Sequence, residues 1–576
     1  MIAGEPSRER GMNRRVFLTA AVLALLEFAV CISPSLADGY DLIIRGGRVY
    51  DGERGEAVTA DVAVTGDRIA AVGDLATAEA RTMLDATGLA VAPGFINMLS
   101  WATESLIEDG RGESDLRQGV TLEVMGEGES MGPLTDAMKA EMVRLQSDIK
   151  YDIAWTTLGE YLSYLERRGI SPNVASFVGA TTVRVHELGY EDRAPTAAEL
   201  ARMQELVRAA MREGALGVGS SLIYAPATYA KTAELTALTK AAAESGGGYI
   251  SHIRSEGDDY FEALDELIAI ARDARTWAHV YHMKPAGERN WRKSVAGLNK
   301  INAARAEGLE ISADIYTYTA GATGLDASMP PWVQEGGPEA WFERMRDPVI
   351  RARVVEEIRE PQGDWESLYS LTGSDPQRVF LIAFKNAKLK PLTGKTVGAV
   401  AKMRGTSPEE TMIDLVIEDQ SRVGAAYFLM SEENIRRNIA WPWTMFGSDG
   451  GAYSPTGVFL LSNPHPRAYG NFARLFAKYV REEKVISVGE AVRRLTSLSA
   501  DTLRITDRGR LKAGNHADII VFDPATIQDH ATYAEPHKFA TGVRDVFVNG
   551  VQVLKDGEHT GAKPGRFVKG PGYRAR

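Results

Sequence analysis

Two kinds of hydrophobic pattern divide the chain. Near both ends, short apolar or β-branched runs alternate with polar residues and turns. Tyr40-Asp41-Leu42-Ile43-Ile44-Arg45-Gly46-Gly47-Arg48-Val49-Tyr50-Asp51-Gly52 reads as strand, glycine turn and strand, and residues 61–64, 69–72 and 82–85 continue in that style. At the far end, 517–522 and 543–553, with a turn at Asn549-Gly550, have the same character. The long middle behaves differently. Apolar runs at 120–125, 216–219, 248–252, 278–282, 311–315 and 444–449 read as strands, separated by stretches of helical period. The clearest helix spans 258–273, with Phe261, Leu264, Ile268 and Ala271 at steps of three and four. Strand and helix alternating over about four hundred residues predict βα units, a parallel sheet and, at this length, a barrel. Residues 330–371 fit the alternation poorly and read as an insertion after a barrel strand, where lids tend to sit.

The first forty residues carry a different signal. Arg14-Arg15-Val16-Phe17-Leu18 precedes an apolar run from Ala20 to Ile32, interrupted by Glu27, and Ser35-Leu36-Ala37 follows before Asp38. A charged segment, a short apolar segment and small residues predict a secretory signal, and the arginine pair resembles the twin-arginine type. The expected location is therefore the periplasm or the exterior. No other apolar stretch approaches the length of a membrane span.

Composition changes the picture in two ways. The only cysteine, Cys31, lies inside the expected signal, so any metal must be held by His, Asp or Glu. A net charge of −11, spread without an acidic block, excludes the basic face that nucleic acid requires.

His252 and His282 each end an expected strand and lie 30 residues apart (282 minus 252), about one βα unit. Successive parallel barrel strands would bring both imidazoles to the C-terminal rim, where barrel enzymes keep their active sites. There they are either metal ligands or hydrogen-bonded rim histidines. Gly447-Ser448-Asp449-Gly450 places an acid between small residues at a strand end. Asp449 suits proton transfer in metal-assisted hydrolysis, or caps its own turn. Gly126-Glu127-Gly128-Glu129-Ser130, after the strand at 120–125, offers further carboxylates in a loop.

Together these residues resemble the D-aminoacylase (N-acyl-D-amino-acid deacylase) family of the amidohydrolase superfamily. The resemblance runs from about Tyr40 to Arg566. It is carried by Val91-Ala92-Pro93-Gly94-Phe95-Ile96, Leu222-Ile223-Tyr224-Ala225-Pro226, Ser251-His252-Ile253-Arg254-Ser255-Glu256 and His282-Met283-Lys284. Ala313-Asp314-Ile315-Tyr316-Thr317-Tyr318, Gly447-Ser448-Asp449-Gly450, His465-Pro466-Arg467 and Arg508-Gly509-Arg510-Leu511 complete the set. It implies an α/β fold, a metal-dependent-hydrolase (β/α)8 barrel over 96–505, with a small β-sandwich built from 38–95 and 506–576 behind a signal peptide at 1–37. His252 and His282 match zinc ligands, Asp449 the catalytic acid–base, and Lys284, Tyr316 and Arg467 the group that grips the substrate carboxylate.

Three departures from the family stand out. Leu99 and Trp101 stand where a first-strand pair of histidines is expected, with Asn97 in place of an aspartate. Ala180 stands where a histidine is frequent. Gly126-Glu127-Gly128-Glu129 replaces a Gly-Asn-Cys-Gly run and is one residue shorter, so either Glu127 or Gly128 falls at the cysteine. Glu127 is the preferred match, because a carboxylate restores the lost thiolate charge. The expected site is a single zinc on Glu127, His252 and His282, with an N-acyl amino acid as the partner molecule. Two alternatives remain at this point: a hydantoinase-like or isoaspartyl-dipeptidase-like amide hydrolase, and a non-catalytic exported binding protein.

Overall fold

Eight short strands in the middle of the chain are apolar enough to be buried along their whole length. In a computed structural model they are β1 (Phe95–Asn97), β2 (Val120–Met125), β3 (Asn173–Ser176, continuing as Val178–Gly179), β4 (Gly217–Ser221), β5 (Gly248–His252), β6 (Ala278–Val280), β7 (Ile311–Ile315) and β8 (Thr444–Phe446). Each pairs in parallel with the next. The ring closes where β8 returns to β1: Met98 N donates to Phe446 O at 3.2 Å, and Ser100 bridges Gly450 in parallel. Continuous burial on both faces is what a parallel barrel covered by helices demands of its strands.

The structure describes residues 39–575 apart from Arg54 and Asp364, so the expected signal lies outside the described residues. Among those residues no helix is long and apolar enough to cross a membrane. The covering helices read as the sequence suggests. Ala197–Glu213 starts with a Thr196/Glu199 capping box and buries Met203, Val207, Ala210 and Met211 against the barrel. Tyr260–Ala274 turns Leu264, Leu267, Ile268 and Ala271 inward.

The two chain ends meet in one nine-stranded sheet, in which Ile519–Phe522 pairs antiparallel with Ala90–Pro93. Tyr40–Val49 is one strand here, not strand, turn and strand. Gly46-Gly47 makes a bulge, with the register against 58–65 shifting between Ile44 and Gly47. A side chain at Gly47 would meet Val91 Cγ2 at 2.4 Å, so the glycine serves close strand packing.

The segment between β7 and β8 is wider than the 330–371 read from the sequence. Ala320–Gly324, Gly424–Phe428 and Val379–Ala383 form a three-stranded antiparallel sheet, with the helices Pro338–Arg344 and Pro348–Arg359 within it. The strands at 379–383 and 424–428 have the length and apolarity of barrel strands, but they pair with each other.

Candidate active site

Parallel pairing puts the ends of β2, β5, β6, β7 and β8 at one rim. Gly126, at φ 103°, ends β2 with its α-carbon against Phe177 O, where a side chain would sit 2.4 Å away. That close turn aims Glu127 inward. His252 is the last residue of β5. His282 lies two residues beyond β6, at φ 33°, and is pinned by its N–H donating to Asp314 Oδ1 at 2.7 Å. Asp449, at φ 49°, follows β8 and donates its N–H to Leu99 O at 2.8 Å. Left-handed backbone at two non-glycine residues is strain of the kind found at functional sites.

Glu127 Oε1 stands 3.2 Å from His252 Nδ1 and 3.2 Å from His282 Nε2, and the three donor atoms lie within 4.8 Å of one another. All three side chains are buried. One carboxylate and two imidazoles converging from three strands are a set that suits a divalent metal, with room left for water or substrate. The outer face of His282 supports this. Glu256 Oε1 is 2.9 Å from His282 Nδ1 and accepts from Lys284 Nζ at 2.6 Å. A carboxylate on Nδ1 leaves the Nε2 lone pair free for a metal. Electrostatics follow the same geometry. Burial opposes the charge on Glu127, but His252 and His282 hold its carboxyl well below the usual range. Burial pushes His252 down, towards the neutral form a ligand needs. Burial and Lys284 work against a proton on His282, yet Glu256 and Glu127 on either side push it up to about 10.

Glu129 takes a different direction. Its side chain lines the same cavity under the charge of Arg422 and is not among the three groups that converge as ligands. Ala180 starts the helix Ala180–Leu188, at the end of β3.

Arg467, at the start of the helix Arg467–Arg474, is buried. It bonds Asp449 Oδ2 through Nη2 at 2.8 Å, with its guanidinium 4.5 Å above the Tyr316 ring. Its Nε and Nη1 are buried without a partner among the described residues. Lys284 Nζ lies 5.5 Å from the same ring. Unsatisfied guanidinium donors in a buried site call for an anion, and a planar fork suits a carboxylate. Burial pushes Asp449 up to about 6, against the opposing charge of Arg467. These groups line one cavity of about 660 Å³, walled on its far side by Arg422, Asp326 and Phe384 from the β7–β8 segment.

Sequence reasoning did not single out Glu256 or His465. The first is buried between His282 and Lys284, and the signal available was that a ligating imidazole wants a carboxylate on its other nitrogen. The second accepts the Arg467 N–H on Nδ1 at 3.0 Å and bonds Ala320 O through Nε2, fixing the start of the arginine's helix.

An eight-stranded parallel barrel whose rim joins a metal-ligand triad to a half-buried acid is the architecture of a metal-dependent hydrolase. The amidohydrolase family model matches residues 82–554, and the chain belongs to that family. It is 32% identical to the D-aminoacylase of Alcaligenes xylosoxydans xylosoxydans, over 93% of this chain and 99% of that one. Among solved structures it resembles a D-aminoacylase with a binuclear metal centre, described by one-metal activation and second-metal attenuation (TM-score 0.77, 30% identity, 92% of this chain, all of that one). It also resembles the N-acyl-D-glutamate deacylase of Bordetella bronchiseptica, complexed with zinc and a phosphonate mimic of the tetrahedral intermediate (TM-score 0.76, 30% identity, 92% and 100%).

Proposed function

We propose that this protein hydrolyses the amide bond of N-acyl-D-amino acids, releasing a carboxylate and a free D-amino acid, with one zinc ion held by Glu127, His252 and His282. The observation that carries the reading is the pairing of that triad with the unsatisfied fork of Arg467 across one cavity. Glu127, His252 and His282 would hold a divalent ion, which when bound would polarise an amide carbonyl and make a water molecule more acidic. Asp449 supplies the proton path: its carboxylate accepts a proton from the attacking water and passes it to the leaving nitrogen. Arg467, Lys284 and Tyr316 hold the substrate carboxylate and so fix the scissile bond against the triad. Glu256 orients both His282 and Lys284, joining the metal side of the site to the carboxylate side. The stereochemistry rests on the relatives, a D-aminoacylase and an N-acyl-D-glutamate deacylase. The arginine pair and apolar run before Asp38 support work outside the cytoplasm after twin-arginine export.

The test is metal analysis of the protein purified without chelators, together with hydrolysis of paired N-acetyl-D- and N-acetyl-L-amino acids. About one zinc per chain and turnover of the D series are expected. A metal-free protein that binds but never cleaves these compounds would put a binding protein in its place. Cleavage of cyclic amides alone would favour the hydantoinase-like alternative.

A further inference from the structure

Glu127 has two oxygens with different surroundings. Oε1 faces the two histidines, whereas Oε2 accepts a hydrogen bond from Trp101 Nε1 at 3.0 Å. We propose that Trp101 is a positioning residue: its indole N–H holds Glu127 as a one-oxygen ligand and bars a second metal from the neighbouring position. The inference rests on the one-zinc reading above.

The rim is built to hold the indole there. Just past β1, Trp101 N donates to Gly450 O at 2.9 Å, and Ser100 N to Val124 O at 2.8 Å, so the chain is fixed to β8 on one side and β2 on the other. Leu99 and Trp101 follow β1 in the chain, the first packed into the core and the second 38% exposed where it lines the cavity. Neither side chain has an atom that coordinates a divalent ion. Leu99 is fully buried and Gly447 packs against it, where a β-carbon on the glycine would sit 2.8 Å from Leu99 Cβ. A carboxylate ligand bridges two ions when its second oxygen is free. Here a neutral N–H donor occupies that oxygen, and the ring beside it lines the cavity. The hydrogen bond also fixes the carboxylate rotamer, so Oε1 is aimed before metal arrives. Outer partners of metal ligands act in this way and their loss costs roughly 10- to 100-fold in metal affinity.

The test is zinc titration of the full-length mature protein, read by chelator competition for affinity and by elemental analysis for stoichiometry. Wild type is expected to stop at one zinc per chain in excess zinc. Trp101→Phe keeps the bulk and loses the donor; it should still bind one zinc, about 10- to 100-fold more weakly. Thermal melting of the apo forms checks that the variant is folded. The decisive control is the same change in a Glu127→Cys background, where there is no second oxygen to hold and Trp101→Phe should leave zinc affinity unchanged. Leu99→His with Trp101→His should admit a second equivalent. Equal effects of Trp101→Phe in both backgrounds would reduce the tryptophan to packing and overturn the inference. So would two zinc ions in wild type. If wild type binds and uses one zinc while Trp101→Phe matches its affinity, only the positioning role fails; if wild type takes up none, the zinc reading fails with it.

Discussion

Asp449 is half-buried, strained in its backbone and paired with Arg467, one of the two cations proposed to hold the substrate carboxylate. Asp449→Asn keeps its size and removes the base, so turnover should fall about 100-fold or more while zinc content stays at the wild-type level. A variant that still cleaves at the wild-type rate would remove Asp449 from the proton path. The charge of Arg467 lowers the pKa of Asp449 against the effect of burial, so Arg467 should help set the pH at which the proposed base works. In the proposed mechanism Asp449 acts as a carboxylate, so activity should rise with pH through its pKa, which burial pushes up to about 6. A bound divalent cation draws the value lower, so the acid limb of kcat/KM should have its midpoint at or below about pH 6. Arg467 opposes the effect of burial, and Arg467→Met should therefore shift that limb to higher pH. The same change should reduce kcat/KM by about 1.5–3 kcal/mol for substrates with a free carboxylate, and little when that group is an amide. Equal losses on both substrates, with an unmoved acid limb, would make Arg467 a structural residue.

At the scale of elements, the end of β2 offers an internal control. Glu127 and Glu129 are two residues apart, yet Gly128 at φ 71° turns them to different surroundings. Glu127→Ala should empty the metal site, whereas Glu129→Ala should leave zinc content almost unchanged; elemental analysis of the two variants decides it. The reverse result would move the ligand to Glu129. The elements themselves were legible to different degrees. Gly248–His252 and Ile311–Ile315 stand in the sequence as uninterrupted buried runs, and the structure places strands there with the same bounds. β6 and β8 end earlier than their apolar runs, at Val280 and Phe446, because His282 and Asp449 lie in turns that point them into the site. The β7–β8 segment was least legible. Its strands pair antiparallel outside the barrel, and an apolar run of five residues does not say which partner it will take. The hydrogen bond from Trp101 to Glu127 was invisible for a related reason, since it joins two strand ends in space that are 26 residues apart.

For the whole molecule, the question is what fastens a sheet made from both chain ends to the barrel. A buried polar network spans the junction. Asp518, just before the strand Ile519–Phe522, bonds Arg508 and accepts Asn549 N at 2.8 Å through Oδ1. Its Oδ2 accepts from Asn173 Nδ2 at 3.2 Å, at the start of β3, and its carbonyl accepts Gly94 N at 2.9 Å, just before β1. Asn549 Nδ2 in turn reaches Asn173 Oδ1 at 2.8 Å. Arg508 and Asp518 are each 5% exposed at their side chains, so solvent contributes little screening. Removing one member of such a pair leaves an uncompensated charge in a dry interface, a loss of about 3–5 kcal/mol. Asp518→Ala should therefore lower the urea midpoint markedly, and the double variant Asp518→Leu with Arg508→Met should recover much of that loss, because no buried charge remains. The network lies where the nine-stranded sheet meets the N-terminal ends of the barrel strands, away from the rim, so zinc stoichiometry should be the same in all folded forms. A urea midpoint for Asp518→Ala equal to wild type would show that the apolar contacts of the junction hold the sheet and barrel together without the network.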